Sequence, residues 1–166
     1  KKGTSFLSEN RLDLLKESYN ILVSVYKRAK LPLPPYLFFE NLYNYSKENY
    51  GIKIFCALNE NNVIGCLIAL VYKDTIYDYY AGSYQKYYNK YPNDLIPWEI
   101  FKWSRKNNYK TFDFGGAGKP NVPYGVRDYK KKFGGMFVEF GRFEKPHQPI
   151  IYYFVKSIFK LWQKIK

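Results

Sequence analysis

The sequence predicts an α/β (α+β) fold in which helices cover a mixed sheet. Three features predict it: apolar residues at helical spacing near the start of the chain, strand-like segments separated by turn residues, and a strand–helix–strand crossover after them. Short turns favour an antiparallel meander, and the crossover adds a further strand to the same sheet. The chain has 166 residues, 46% of them hydrophobic, which is enough for the core of one ordinary domain.

Two helices are expected first. Apolar residues recur every three or four positions over residues 9–29, and Ser8 or Asn10 could cap that helix. The proline-rich segment 31–35 interrupts the chain, because proline rings fix the backbone and remove amide donors. A second helix is expected near residues 36–48.

The middle of the chain has the pattern of an antiparallel sheet. Three segments are apolar or alternate between apolar and polar residues, namely 53–58, 63–72 and 75–81. Turn-forming residues separate these segments at 59–62 and at Asp74. The sequence therefore predicts three consecutive antiparallel strands.

The second half alternates between loops, helices and single strands. The predicted elements are a polar, Tyr-rich loop at 82–93, a helix at 94–107, a strand at 111–114, a loop rich in Gly and Pro at 115–125, a short helix at 126–133, a last strand at 136–143 and a helix from 149 to the end. We expect residues 1–149 to form a single domain. The C-terminal helix, residues 150–166, is expected to be part of that domain or docked on it.

This C-terminal helix has a basic and amphipathic pattern. Ile151, Phe154 and Ile158 belong to one apolar stripe, whereas Lys156 and Lys160 lie on another face. A helix of this kind can lie on an anionic membrane, so an anionic membrane surface is one expected partner. A helix docked on a sheet, or packed on a missing half of the protein, has the same pattern, and both alternatives stay open.

The composition restricts the partners and the chemistry. A net charge of +13 favours anionic partners, namely nucleic acid, an anionic membrane surface or a phosphorylated small molecule, although a Lys-rich composition without function is an equal alternative. The single histidine, His147, cannot build a His-rich metal site, and no Cys/His spacing suggests zinc, so no metal site is predicted. Cys56 and Cys66 flank a turn where a cross-strand pair is conceivable, but core packing is the favoured interpretation.

No apolar run is long enough to span a bilayer, and the N-terminal residues lack the apolar core of a signal peptide. We therefore expect a cytoplasmic protein, with a peripheral position at the inner membrane face if the C-terminal helix binds lipid.

Four short motifs follow one another between residues 79 and 135. They are Tyr79-Tyr80-Ala-Gly-Ser83, then Tyr91-Pro-Asn93 with Leu95 and Trp98-Glu99, then Tyr109-Lys-Thr-Phe-Asp113-Phe-Gly-Gly116, and finally Tyr129-Lys130-Lys-Lys-Phe133-Gly-Gly135. Their order resembles the last half of the FemAB-type families, the peptidoglycan bridge-forming aminoacyltransferases and the related acetyltransferase-6 proteins of surface-polysaccharide loci. The family pattern has Phe where this chain has Tyr129, and commonly Gly where it has Lys132.

The resemblance implies a GNAT-like mixed sheet flanked by helices, similar to the second of the two units that Fem-type proteins carry in tandem. A second GNAT-like domain is therefore an expected partner. The implied activity is transfer of an activated acyl or aminoacyl group to an amine of a cell-envelope precursor of the peptidoglycan type. The alternatives are an acyl-CoA-dependent N-acyltransferase of surface-polysaccharide biosynthesis, which would act on a polysaccharide precursor, and a non-catalytic GNAT-like binding module.

No resident cofactor is expected, and acyl-CoA or aminoacyl-tRNA would be a co-substrate. CoA-dependent GNAT enzymes usually carry a glycine-containing loop that binds pyrophosphate at a helix start. Gly82-Ser83-Tyr84 stand here instead, which favours charged tRNA as the donor.

The resemblance places Lys130 at the family's F-K position, where its ammonium could stabilise charge on a carbonyl oxygen, and we take it as the candidate catalytic residue. The candidate substrate-binding residues are Tyr80, Trp98, Glu99, Asp113, Gly115, Gly116, Arg127 and Phe133. Each has a structural alternative: a solvated helix for the cations, a sharp turn for Asp113 and the glycines, an ion pair for Glu99, and packing for the aromatic rings.

Overall fold

A computed structural model describes residues 3–141 and 143–165 and confirms a mixed sheet flanked by helices. The strands are β1 (Thr4–Ser8), β2 (Tyr50–Asn59), β3 (Asn62–Tyr72), β4 (Thr75–Ser83) and β5 (Thr111–Asp113). The helices are α1 (Leu12–Ala29), α2 (Tyr36–Asn44), α3 (Pro92–Lys106), α4 (Gly125–Lys131) and α5 (Pro149–Ile165), with a 3-10 helix at Gln85–Lys90. The sheet order is β1-β2-β3-β4-β5. The pairs β1–β2, β2–β3 and β3–β4 are antiparallel, and β4–β5 is parallel.

Apolar side chains cover both faces of the sheet. On one face, Leu15 and Leu22 of α1 and Phe39 of α2 pack with alternate strand residues such as Ile54 and Ile68. On the other face, the buried cluster contains Ile96 and Ile100 of α3 together with Phe55, Leu67 and Ile76. Because side chains alternate along a strand, a strand covered on both sides is apolar at nearly every position, which is the pattern of β3.

The chain divides into two compact units, one ending at Phe133 and the other beginning at Gly134. The first unit contains all five strands and α1–α4, and the second contains α5. The expectation that the C-terminal helix belongs to, or docks on, the preceding domain stays a prediction. Among the described residues, no helix is both long and apolar enough to cross a membrane.

Several predicted boundaries were wrong. Strand β1 was not predicted. It is five residues long and pairs with β2, so its conformation depends more on that pairing than on its own sequence of apolar and polar residues. Helix α2 ends at Asn44, short of the predicted 48. The predicted loop at 82–93 contains the end of β4, the 3-10 helix and the start of α3.

Neither predicted cap is the N-cap of α1, because the helix begins after Arg11. Asn10 instead bonds across to β2: its amide donates to the Ile52 carbonyl oxygen at 2.9 Å, and its Oδ1 accepts from the Ile54 amide at 3.0 Å. The residue that was expected to cap the helix therefore ties the helix start to the sheet.

The predicted last strand at 136–143 is wrong for the residues that the structure describes, since residues 136–141 form no strand. Arg142 lies outside the described residues. The apolar side chains that suggested the strand are exposed, with Met136 at 85% and Phe140 at 92% of full exposure. A segment rich in strand-forming residues does not make a strand unless its backbone pairs with another strand. Helix α5 is confirmed over Pro149–Ile165, and Lys166 lies outside the described residues.

Candidate active site

Strand β4 has one edge that is only partly covered. Strand β5 pairs with β4 over three positions, Thr75 to Tyr77, and ends at Asp113. Within the described part of the chain, the rest of β4 has a partner on its β3 side alone. An open edge presents unpaired backbone groups with which an extended ligand can pair, and we refer to the open edge of β4 beyond Tyr77, together with the end of β5, as the cleft.

A turn at Gly115 separates the two strands. The Gly115 amide donates to Asp113 Oδ1 at 2.7 Å, which ends β5 in an Asx-type turn. Gly115 has a φ of +66°, and a Cβ at this position would lie 2.8 Å from the Tyr77 hydroxyl oxygen. Both the backbone conformation and the close approach of Tyr77 require glycine here.

A β-bulge lies on β4 at the point where the cleft opens. Ala69 of β3 pairs with Asp78 and Ile68 pairs with Tyr80, so Tyr79 is an extra residue on β4. Ile76 packs on the α3 side of the sheet, whereas Tyr80 packs on the α1 side. Without the extra residue these two side chains would share a face, so the bulge reverses the alternation of β4 next to Asp78.

Helix α4 is anchored beside this cleft by an aromatic cluster. The Phe133 ring lies 5.6 Å from Phe114, 6.0 Å from Phe101 and 5.3 Å from Tyr129, centroid to centroid. The Tyr129 hydroxyl donates to the Asn93 carbonyl oxygen at 2.6 Å, and burial raises the pKa of Tyr129 above its ordinary range. These contacts fix a seven-residue helix that is too short to be stable alone.

The anchored helix places Lys130 over the end of β5. Its Nζ donates to the Phe114 carbonyl oxygen and, at 2.8 Å, to the Gly116 carbonyl oxygen. Burial lowers the pKa of Lys130, and the nearby carboxylates of Asp78 and Asp113 oppose that shift. Two of the three ammonium protons are thus used by backbone carbonyls, and one is left for a ligand.

Asp78 is the carboxylate at the centre of the site. Burial raises its pKa to about 6; the Lys130 ammonium opposes the shift, and the Asp113 carboxylate adds to it. Within the described residues, Asp78 makes no side-chain hydrogen bond and no ion pair. A half-buried carboxylate with a pKa near neutrality and unused acceptor atoms has the properties of a general base.

Arg127, one turn before Lys130, holds the Gly- and Pro-containing loop that follows β5. Its Nε donates to the Ala117 carbonyl oxygen at 3.0 Å, and its Nη2 donates to the carbonyl oxygens of Lys119 and Val122 at 2.6 and 2.7 Å. Both α4 cations therefore bind main-chain carbonyl oxygens and fix the wall of the cleft.

The sequence model of the FemAB family matches residues 38–160, which are 123 of the 166 residues. The chain belongs to the FemAB family. The resemblance seen in the four motifs is thereby confirmed, and membership supports a role in acyl or aminoacyl transfer. No curated protein matches the sequence of the chain.

Solved structures place this FemAB chain among the GNAT acetyltransferase folds. An aminoglycoside acetyltransferase from an uncultured soil metagenomic sample, in complex with sisomicin, has a TM-score of 0.66 at 14% identity, covering 88% of this chain and 97% of that one. The ribosomal-protein-alanine N-acetyltransferase of Brucella melitensis biovar Abortus 2308 has a TM-score of 0.62 at 10% identity, covering 87% and 99%. A possible acetyltransferase from Clostridium difficile 630 also reaches 0.62 at 10% identity, covering 87% and 98%. At such low identities the likeness establishes the fold alone.

The structure brings part of the predicted site together. Lys130, Asp113 and Gly116 meet at the end of β5, where Phe133 supports them. Gly116 has open space where a Cβ would be, so no packing contact explains the glycine, and its carbonyl oxygen binds Lys130.

Three predicted substrate-binding residues have other contacts. The Tyr80 ring packs in the core, 5.0 Å from Phe39 and 5.6 Å from Tyr26, centroid to centroid. Glu99 accepts a hydrogen bond from Lys102 at 2.9 Å, the ion-pair alternative considered for it. Trp98 is 56% exposed, with the Lys102 ammonium 5.7 Å from its ring centroid. Their role in substrate binding stays a prediction.

Sequence reasoning missed Asp78, the most perturbed carboxylate near the cleft. The signal was an acidic residue at the centre of an otherwise aromatic strand, Tyr77-Asp78-Tyr79-Tyr80, where a buried charge is costly. Cys56 and Cys66 are register partners in β2 and β3, and both are free, buried thiols, as the core interpretation predicted. Over residues 3–141 and 143–165, no group of His, Cys, Asp and Glu side chains could hold a metal ion.

Proposed function

We propose that this chain transfers an activated acyl or aminoacyl group to an amine of a cell-envelope precursor of the peptidoglycan type. FemAB membership supports both the reaction and the acceptor class. The observation that carries the proposal is geometric: Asp78 follows the last β4 residue that pairs with β5, and Lys130 donates to the Phe114 and Gly116 carbonyl oxygens just beyond the end of β5.

In the proposed reaction, the acceptor amine attacks the carbonyl carbon of the activated acyl group. The Asp78 carboxylate accepts the proton that the amine nitrogen loses as the C–N bond forms. The remaining Lys130 N–H donates to the carbonyl oxygen, which carries negative charge in the tetrahedral intermediate. When that intermediate collapses, the bond to the donor breaks, and the proton held by Asp78 passes to the leaving oxygen or sulfur. No covalent bond to the enzyme forms in this scheme.

Charged tRNA is the donor that we favour. The net charge of +13 supports binding of a polyanion, and the sequence after β4 lacks the expected CoA pyrophosphate loop. Charged tRNA and CoA are both cytoplasmic molecules, so we place the reaction on that side of the membrane. Residues Trp98, Glu99, Asp113 and Arg127 are proposed to contact or frame the substrates.

Acyl-CoA is the second candidate donor. The open β4 edge favours it, because an extended chain with amide groups can add to such an edge as a strand does. The acetyltransferases among the structural neighbours have the same fold, which makes this donor a reasonable alternative for an amine acceptor in polysaccharide synthesis.

The test is amine acylation by the purified chain with radiolabelled aminoacyl-tRNA or acetyl-CoA and a panel of UDP-linked and lipid-linked peptidoglycan precursors. We expect label transfer from aminoacyl-tRNA to a precursor amine. Removing the oxyanion donor in Lys130→Ala should lower kcat by about 10²–10³-fold. Lys132→Ala is the matched control, since it removes an equal charge from an exposed side chain two residues away and should leave the rate within about twofold.

Three outcomes would count against the proposal. Transfer only from acetyl-CoA would establish the second candidate. Equal rates for Lys130→Ala and Lys132→Ala would remove Lys130 from the mechanism. Saturable precursor binding without transfer from either donor would show that this chain binds the acceptor but does not catalyse transfer by itself.

A further inference from the structure

Helix α5 presents an apolar side that the described structure leaves exposed. Its members are Ile151, Phe154, Val155, Ile158, Leu161 and Trp162. Successive helix residues are about 100° apart, so these positions fall on one side of the helix. Trp162 is the least exposed of them at 41% and Phe154 the most exposed at 65%, so the second unit does not bury this side by itself. A contiguous apolar surface of this kind is typical of an interaction site.

The opposite side of the same helix is cationic. Lys156 and Lys160 lie one turn apart on this side. From Pro149 to the end of the chain the sequence has no acidic residue. Lys156 is held near the helix by Tyr152, whose hydroxyl lies 2.9 Å from Nζ, and by Glu144 at 3.2 Å.

This charge distribution selects the kind of surface that α5 fits. Every charged residue from Pro149 onward is a lysine, so α5 is complementary in charge to an anionic surface. An anionic bilayer has a negatively charged surface that attracts the lysines. The apolar layer beneath that surface can bury the aromatic and aliphatic side chains. No described helix is suited to cross the bilayer, so the helix would lie in its surface.

We propose that α5 binds the surface of an anionic phospholipid bilayer. Phe154, Ile158 and Trp162 enter the acyl region, and Lys156 and Lys160 contact lipid phosphates. This binding needs no acyl donor or acceptor, so it stands or falls separately from the transfer reaction.

The test is co-sedimentation of the full chain with vesicles of equal parts phosphatidylglycerol and phosphatidylcholine, and with vesicles of phosphatidylcholine alone. We expect binding to the anionic vesicles that weakens with added salt, and little binding to the neutral ones. The double variant K156E/K160E should bind anionic vesicles more weakly by about tenfold or more. The matched control is K16E/K106E, which makes the same change in net charge at exposed lysines of α1 and α3.

Insertion of the apolar side is tested separately. Brominated acyl chains should quench the tryptophan fluorescence of the wild type, and the Trp162→Phe variant should lose that quenching. The variant F154S/I158S should lose vesicle binding although its net charge is unchanged. Circular dichroism of each variant checks that the fold is retained.

The proposal is overturned if K16E/K106E loses as much affinity as K156E/K160E, because bulk charge would then account for binding. Absence of binding to anionic vesicles, or binding without quenching at Trp162, also overturns it. A lipid-free dimer in sedimentation velocity that F154S/I158S abolishes would identify a second copy of the chain as the partner of this side instead.

Discussion

Of the two proposed catalytic residues, Lys130 could be predicted from the sequence and Asp78 could not. Lys130 could be predicted because it lies in a motif, Tyr129-Lys130 followed by Phe133-Gly134-Gly135, that stands out in the sequence. Asp78 could not, because its properties come from the bulge in β4 and from burial near α4, both of which are tertiary features. An acidic residue among aromatic ones indicates a costly buried charge, but it does not indicate an acid–base role.

The raised pKa of Asp78 has a consequence for stability. In the folded chain its pKa is about 6, whereas an unfolded Asp titrates near about 3.9, so folding favours the protonated form. The stability contributed by protonated Asp78 is complete below pH about 4 and is lost as the pH rises through about 6. Asp78→Asn, which stays neutral, should therefore be more stable than the wild type above pH 6, by at most about 3 kcal/mol.

Urea unfolding of both proteins at several pH values from 4 to 8 measures this difference. The gap between the variant and the wild type should widen as the pH rises through the folded pKa and then level off. A variant that is less stable at high pH would mean that the Lys130 ammonium stabilises ionised Asp78 by more than burial costs it.

Some helices and strands follow from the local sequence pattern, whereas others depend on pairing with a neighbouring strand. Helix α1 and strands β2–β4 could be predicted because their apolar periodicity is long and unambiguous. Strand β1 escaped prediction because five residues are too few for a period, and its partner in β2 decides its conformation. Residues 136–141 contain the aromatic and β-branched residues typical of strands, but they have no strand partner within the described residues.

The loop between β5 and α4 depends on Arg127 for its conformation. Because Arg127 donates to three carbonyl oxygens of that loop, Arg127→Ala should release it while leaving the sheet intact. Charge-assisted hydrogen bonds of this kind contribute about 1.5–3 kcal/mol each when buried, and less at a partly exposed site. We expect amide hydrogen exchange over residues 116–124 to accelerate by about tenfold or more, as measured by mass spectrometry.

Arg105→Ala is the control for this experiment, since Arg105 is an exposed arginine on α3 that makes no such contacts in the described structure. Unchanged exchange in Arg127→Ala would show that the aromatic anchor of α4 alone fixes the loop. Faster exchange throughout the sheet would show instead that Arg127 stabilises the whole fold.

For the whole molecule, the fold and the family could be predicted from the sequence, but only some of the candidate catalytic residues could. The order of four motifs indicated FemAB, and the family match confirms it, whereas the acetyltransferase structures confirm the fold. That residues 1–149 form a single domain stays a prediction. The identity of the donor and of the acceptor depends on contacts between the chain and its substrates, and short sequence motifs do not specify those contacts.

The most direct test of the account is the pH dependence of kcat/KM for amine acylation by the wild type and by Asp78→Asn. The acceptor amine must be neutral to attack and Asp78 must be ionised to take its proton, so the wild-type kcat/KM should rise more steeply with pH below an apparent pKa near 6 than above it, where only the amine still titrates. Asp78→Asn should be slower by about 10²–10⁴-fold at pH 7 and should lose the change of slope near pH 6. A variant that keeps the wild-type rate and the same pH profile would contradict the assignment of Asp78 as the base, and with it the proposed mechanism.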